Sequence, residues 1–248
     1  MISATILAKN GKKHIQEVLS SLQFLDEVIL LDNGSTDGTV EIAAKFANVK
    51  IYTQEGFEGF GKAHQAMEAL AKNDWILSID ADEVVSTALA AEITAEALDE
   101  NTVYKIRFDN YYMRQHIKGC GWSPDYKYRL YNRKVTGFDD REVHENIKLD
   151  GLKTKELKSS AKHYSFDSGA DFLRKIQNYS DLYAKEYAGK KSSSPSKAIF
   201  RSFFAFFKSY ILQKGFLDGY GGFIVSCYNA QWVFWKYIKL YEINKKLK

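Results

Sequence analysis

Cysteine and proline are almost missing from this chain, with two of each in 248 residues. Cys120 and Cys227 stand far apart, which gives neither a disulfide framework nor metal-ligand spacing, so a reduced, intracellular setting is expected. With so few prolines and no low-complexity tract, a long disordered linker is not expected. No apolar, uncharged run reaches the roughly 18 residues that a spanning helix needs. The short apolar segment at residues 1–10 has its charges after it, the reverse of a secretion signal. Neither a Gly-x-Gly-x-x-Gly turn nor a Walker-type loop occurs, which disfavours a dinucleotide dehydrogenase and a P-loop ATPase.

What is present suits a globular chain of one large domain or one and a half ordinary ones: 45% hydrophobic and 27% charged residues. The net charge of +4 conceals an asymmetry. Residues 1–150 hold 17 Lys and Arg against 24 Asp and Glu, a net of −7, while residues 151–248 hold 18 against 7, a net of +11. The rear should therefore seek phosphate or an anionic surface.

Hydrophobic periodicity predicts strands at 2–8, 27–31, 48–52 and 75–79, alternating with helices at 14–24, 40–46 and 59–71. The first helix places Ile15, Val18, Leu19 and Leu22 on one face. Such alternation means an α/β fold with a parallel, doubly wound sheet, whose ligands sit at the carboxyl ends of the strands. Asn10, Asp32 and Asp80 all fall at such ends.

The stretch Trp75-Ile-Leu-Ser-Ile-Asp-Ala-Asp-Glu83 is a buried strand running into three carboxylates. If strand alternation continues, Asp80 and Asp82 project to one side and Ala81 to the other. Their repulsion would be relieved by a hard divalent ion carrying diphosphate oxygens. A plain acidic turn is the alternative. In Asp32-Asn-Gly-Ser-Thr-Asp-Gly-Thr39, Gly34 and Gly38 permit a tight turn, Ser35 or Thr36 can cap the next helix, and Asp37 suits its positive end. Asp32, an acid at a strand tip, is left to accept from a base or a ribose.

In order and spacing, Ile6-Leu-Ala-Lys-Asn10, the Asp32 to Thr39 turn, Gly59-Phe-Gly-Lys-Ala63 and Asp80-Ala-Asp-Glu83 resemble the family 2 glycosyltransferases with the nucleotide-diphosphosugar transferase (GT-A) fold. Val143-His-Glu145, His163-Tyr164 and Gly215-Phe-Leu-Asp-Gly219 resemble the branch that adds hexoses to the lipopolysaccharide core, the β-1,4-glucosyltransferases. The resemblance implies that Ala8, Asn10 and Asp32 line the nucleoside pocket. It sets Asp80, Ala81 and Lys62 along the nucleotide sugar and makes Asp82 the main ligand of Mg2+ or Mn2+, with His163 completing the site. Imidazole suits Mn2+ better.

Strands are also expected at 102–110, 127–132 and 156–165. Tyr111, Tyr112, Trp122 and Tyr126 offer faces on which sugar rings could stack, or they pack the sheet edge. Arg129 and Arg133, four apart, would share a side of a strand, and one of them would meet phosphate. For the general base, Asp139, Asp140, Glu142 and Glu145 are all chemically able. The resemblance favours Glu145, oriented by His144, with Asp140 next.

From residue 168 only helices are expected, at 172–187, 200–212 and 223–241. In the second, Phe200, Phe203, Phe204, Phe207 and Ile211 form one stripe, with Arg201 and Lys208 on the other side. Fifteen aromatics between Phe200 and Tyr241 exceed what a small helical extension needs unless it packs on the catalytic domain or lies on a membrane interface. The chain is thus divided into a catalytic domain at 1–167 (nucleotide-sugar half 1–85, acceptor half 86–167) and a basic, aromatic extension at 168–248.

The expectation is a cytoplasmic, metal-dependent, inverting transferase. It would move a hexose from UDP-glucose or UDP-galactose to a lipid-linked glycan in peripheral contact with the anionic inner membrane, with no nucleic-acid partner. The competing readings are a sugar-phosphate nucleotidyltransferase, which would want a Gly-rich first loop, and a non-catalytic nucleotide-binding scaffold at the membrane.

Overall fold

Strand β1 (Ile2–Ala8) pairs in parallel with β2 (Glu27–Asp32) on one side and β4 (Trp75–Ser78) on the other, and β3 (Val49–Thr53) extends the row beyond β2. This computed structural model describes residues 1–54, 56, 59–139 and 146–247. All of β2 is buried, which is why its apolar run is unbroken. Glu27, at its start, is tolerated there because Ser3 Oγ, Lys50 Nζ and the Lys72 N–H all donate to its carboxylate. Burial works against its charge, and these donors outweigh it and hold its pKa below the ordinary value.

Helices α1 (Ile15–Ser21), α2 (Thr39–Ala43) and α3 (Phe60–Leu70) connect the four strands. The expected stripe of α1 points inward: Ile15, Val18, Leu19 and Leu22 are fully buried. Ala63 and Met67 of α3 join Ile29, Leu31 and Ile76 in one core cluster.

Beyond β4 come β5 (Glu83–Val85), α4 (Thr87–Ala95), β6 (Thr102–Tyr112), β7 (Gln115–His116), β8 (Asp125–Asn132) and β9 (Lys153–Phe166). The sheet order is β3-β2-β1-β4-β8-β6-β9-β5, with β7 on β6. Pairs β4–β8, β6–β8, β6–β7 and β5–β9 are antiparallel. The expectation of a mostly parallel sheet therefore holds through β4, and the sheet as a whole is mixed. The physical reason is that β6, β7 and β8 follow one another without the crossover helix that parallel neighbours require. β5, α4 and β7 are elements that the hydrophobic pattern did not announce. Ser86 starts α4 by accepting from the Leu89 N–H at 3.1 Å.

The chain builds outward from β1 to β3 and then returns to lay β4 on the other flank of β1. That reversal opens a crevice outside the carboxyl ends of β1 and β4, the usual ligand position in such sheets.

Two compact units make up the chain, Met1–Phe108 with Asp125–His163 and Asp109–Pro124 with Tyr164–Lys248. The second holds α5 (Gly169–Tyr187), α6 (Pro195–Phe207), a π-helical turn (Lys208–Leu212), a 3-10 turn (Gly215–Asp218) and α7 (Gly219–Lys246). Its core gathers Tyr112, Ile117, Cys120, Phe166, Phe172 and Val225. The Gly215 to Gly219 segment is a clamp within this unit: Asp218 Oδ2 accepts from the Gly119 N–H and the Asp218 carbonyl from Gln115 Nε2, both at 2.6 Å. Glycine is obligatory at Gly222, where a Cβ would lie 1.8 Å from the Gly215 carbonyl oxygen.

Candidate active site

Two loops close over the tips of β1 and β2. Asp32 ends β2 in register with Ala8, and the Asn33 N–H returns to the Ala8 carbonyl. The Asp32 carboxylate accepts from the N–H groups of Gly34 at 3.1 Å and Ser35 at 3.0 Å, so it shapes the turn as well as standing at the strand tip. Asn10, with φ of 55°, accepts from the Thr36 N–H and donates its own N–H to Ser35 Oγ. Asp37 accepts from the Lys12 and Thr39 N–H groups. These bonds stitch the loop after β1 to the loop after β2. The N-terminal position of α2 is taken by Gly38, with Asp37 holding the Thr39 N–H, instead of by the Ser35 or Thr36 cap that the sequence suggests.

The acidic turn is not the symmetric pair that strand alternation predicts. β4 ends at Ser78, and residues 79–82 form a turn in which the Glu83 N–H reaches the Asp80 carbonyl and the Asp80 N–H reaches Glu83 Oε2, each at 3.0 Å. Arg129 Nη2 donates to Asp80 Oδ2 at 2.6 Å and to Glu83 Oε1 at 2.7 Å, and Lys127 Nζ adds a third contact to Glu83 at 2.8 Å. Asp82 has a different neighbour: its Oδ1 lies 3.8 Å from His163 Nε2, and the two acids are about equally exposed, Asp80 at 42% and Asp82 at 38%. The β5–β9 register, which pairs Glu83 with His163, delivers this neighbour. Gly11 brings the first loop against the turn, since a Cβ there would stand 3.3 Å from the Ala81 Cβ.

Electrostatics separate the acids further. Burial opposes the charge on Asp80, but the Arg129 guanidinium, with Lys127 behind it, outweighs that and holds the carboxyl well below the usual range. Glu83, fully buried, is pushed up by burial and next by Asp80, against the pull of Arg129 and Lys127. Arg129 itself is raised, because its two carboxylates overcome the cost of burial. Phe108 lies under this group, 4.8 Å from Lys127 and 5.5 Å from Arg129, with its ring edge-on to His163. His64 of α3, stacked on Phe138 at 4.0 Å, is driven by burial down to about 4 and is neutral at pH 7.

Arg129, expected to meet phosphate, is thus committed to two carboxylates. Its Nε–H has no hydrogen-bond partner among the described residues. Arg133 falls past the end of β8 and contacts the Glu68 carbonyl and Asp74, so the two arginines do not share a strand face. Lys62 is exposed on the first turn of α3. Glu83 is the participant that sequence reasoning left without a role. The signal was available in Lys127 and Arg129, two cations two apart on one strand and so on one face.

Among the described residues no group of three or more His, Cys, Asp or Glu side chains could hold a metal. Asp82 and His163 supply two donors, and 3.8 Å is a separation that one ion about 2.1 Å from each could bridge. The donor set fits an ion whose remaining ligands come from substrate and water. Asp80, already paired, is not needed as a ligand.

Two of the four aromatics proposed for sugar stacking belong to a core. Tyr112, 5% exposed, stacks on Phe172, and Trp122 stacks on Phe166. Tyr111 stacks on His116, and Tyr126 is exposed with Lys105 Nζ 4.8 Å over its ring. Asp140, His144 and Glu145, the base candidates and their orienter, lie outside the described residues. On either side of them, Phe138 and Ile147 form an antiparallel bridge and Asp139 bonds Asn146.

The profile described as glycosyl transferase family 2 matches residues 3–148. An uncharacterized glycosyltransferase of Rickettsia bellii (strain RML369-C) is 32% identical over 260 residues, 98% of this chain and 87% of that one. The lipopolysaccharide core biosynthesis glycosyltransferase LpsC of Rhizobium meliloti (strain 1021) is 26% identical over 255 residues, 97% of this chain and 92% of the relative. Among solved structures, the mannosyltransferase PcManGT of Pyrobaculum calidifontis, in complex with GDP-Man and Mn2+, superposes with a TM-score of 0.51 at 14% identity, over 93% of this chain and 73% of that one. That likeness shows the fold, and the match along most of the first unit shows the family. The chain belongs to glycosyl transferase family 2 and is a nucleotide-sugar transferase of the GT-A fold.

Proposed function

We propose that the protein moves a hexose from a UDP-sugar, UDP-glucose or UDP-galactose, to a sugar of a lipid-linked surface glycan, with an inner-core heptose of lipopolysaccharide as first choice. The observation that carries the metal-dependent part is the division of labour in the acidic turn. Asp80 is paired with Arg129, while Asp82 lies beside His163. The relative LpsC, named for lipopolysaccharide core biosynthesis, supports the acceptor class, and PcManGT, solved with GDP-Man and Mn2+, supports a divalent ion.

In this reading Asp32 and Asn10 hold the nucleoside, and Ala8 and Ala81 leave room for it. Lys62 is the donor toward the diphosphate, and Arg129 acts on the nucleotide sugar through Asp80, whose carboxylate it holds. Asp82 and His163 would hold Mg2+ or Mn2+. The ion, when bound, offsets the charge that collects on the departing UDP. Glu145, oriented by His144, takes the proton of the acceptor hydroxyl as its oxygen bonds to the anomeric carbon. The bond from that carbon to the diphosphate oxygen breaks on the opposite face, which inverts the centre. Asp140 is the next candidate for the base. Because Arg129 offsets the charge on Asp80 beforehand, the site meets the diphosphate with less net negative charge, which favours binding a dianion.

The enzyme would work in the cytoplasm, peripherally attached to the inner face of the cytoplasmic membrane. No helix among the described residues is long and apolar enough to cross one. The test is calorimetric titration of UDP with Mn2+, with Mg2+ and with EDTA, repeated on Asp82→Ala. Metal-dependent binding that the variant loses, by about a hundredfold for one ligand of a two-ligand site, is expected. Equal binding in EDTA would remove the metal from the reading.

A further inference from the structure

The apolar stripe of α6 faces outward. Ala198 is fully buried, Ser202 Oγ donates to the Ala230 carbonyl, and Ser209, just beyond the helix, meets Ser226 at 3.1 Å, so a line of small residues is what packs on α7. On the opposite side Phe200 and Phe203 are each 71% exposed, Ile199 62%, Phe204 49% and Phe207 42%. Past the helix Leu212, Leu217 and Tyr220 are exposed as well, at 59%, 69% and 70%. A patch of this extent marks a surface that something covers.

Charge identifies the occupant. Lys197, Arg201 and Lys208, spaced four and seven apart, follow one edge of the stripe. Between Glu186 and Asp218 the sequence has six basic residues and no acidic one. Behind the edge, Lys236 of α7 lies 3.7 Å over the Trp232 ring and Lys191 3.5 Å over Tyr187, so the cations crowd onto aromatic faces. Burial, then the nearness of Lys191 and Arg201, brings Lys236 down to about 8. A second copy of the chain seated on this face through a two-fold axis would set these cations against themselves. An anionic bilayer would receive the phenylalanines in its acyl boundary and the lysines and arginines among its headgroups.

We propose that α6 and the turn after it are the membrane-docking surface, with Phe200, Phe203, Phe204 and Phe207 inserted into the leaflet and Lys197, Arg201 and Lys208 on anionic headgroups. This rests on the peripheral attachment proposed above and assigns it to one face of the second unit.

The test is co-sedimentation of the full chain with vesicles of phosphatidylcholine alone and of phosphatidylcholine with phosphatidylglycerol, with UDP titration as a parallel readout. Binding to the anionic vesicles that weakens as salt rises is expected. Phe200→Ser with Phe203→Ser should reduce it by about a hundredfold, and Arg201→Glu with Lys208→Glu by about tenfold or more. UDP affinity should stay unchanged in both. Wild-type protein that stays in the supernatant would overturn the proposal, as would variants that sediment like wild type. A dimer that the phenylalanine variant turns into a monomer would give the face to a second copy and overturn it too. Vesicle binding without UDP binding would remove the donor reading and leave the docking surface standing.

Discussion

In α1, Ile15, Val18 and Leu19 are 0% exposed, whereas in α6 Phe200 and Phe203 are each 71% exposed, although both helices carry apolar residues at the same helical spacing. What differs is the other side of each helix. The second face of α1 is polar and meets water, so its stripe has only the sheet to join. α6 has a run of small residues, Ala198 and Ser202 with Ser209 beyond, that lets α7 approach closely, and the phenylalanines are left outside. An amphipathic pattern therefore says that two faces differ, and it does not say which one the protein covers. The same contrast separates the two units. The first buries an ion pair, Glu83 with Arg129, and the second displays apolar surface.

The largest break in that contrast should come from Arg129→Met. It leaves Glu83 fully buried beside Asp80 with Lys127 alone, and chemical denaturation should show a loss of about 4 kcal/mol, as for other broken buried pairs. Leu19→Ala in α1 should cost about 3 kcal/mol by the same assay, since it opens a cavity in a close-packed core.

His64 sharpens the point with pH. Its folded pKa of about 4 lies below the ordinary 6.5, so the unfolded chain takes the proton first and stability is lost as pH falls from 6.5 toward 4. Between pH 7 and pH 4.5 the wild type should lose about 2.5 kcal/mol more than His64→Gln, read from urea midpoints. The smallest effect is the one that most directly opposes α6 to α1: Phe203→Ala should change stability by less than about 0.5 kcal/mol. A loss as large as that at Leu19 would show that the stripe is covered in the isolated protein.

Much of the first unit could be read from residues alone. The four strands and three helices before Asp80 stand within a few residues of their expected places, because buried parallel strands are continuous apolar runs and the connecting helices keep a strict period. The β5–β9 register sets His163 beside Asp82. The pairing of Asp80 with Arg129 did not emerge, because it depends on β8 lying antiparallel beside β4. Nor did the fate of Tyr112 and Trp122, whose flat rings suit sugars or a core equally and were claimed by Phe172 and Phe166. Residues 109–124 join the rear helices through the Asp218 to Gly119 bond, ninety-nine residues apart in sequence, which no local pattern announces.

By itself the sequence determined the alternation of strands and helices, the placing of Asn10, Asp32 and Asp80 at strand ends, and the concentration of positive charge and aromatic rings toward the rear. These depend on short-range periodicity and composition. Only the tertiary structure decided which acid of the turn pairs with Arg129 and which lies beside His163, and which face of α6 is left open. Those outcomes depend on neighbours brought in from distant parts of the chain, and a carboxylate or a phenylalanine has no fixed role until its neighbours are in place.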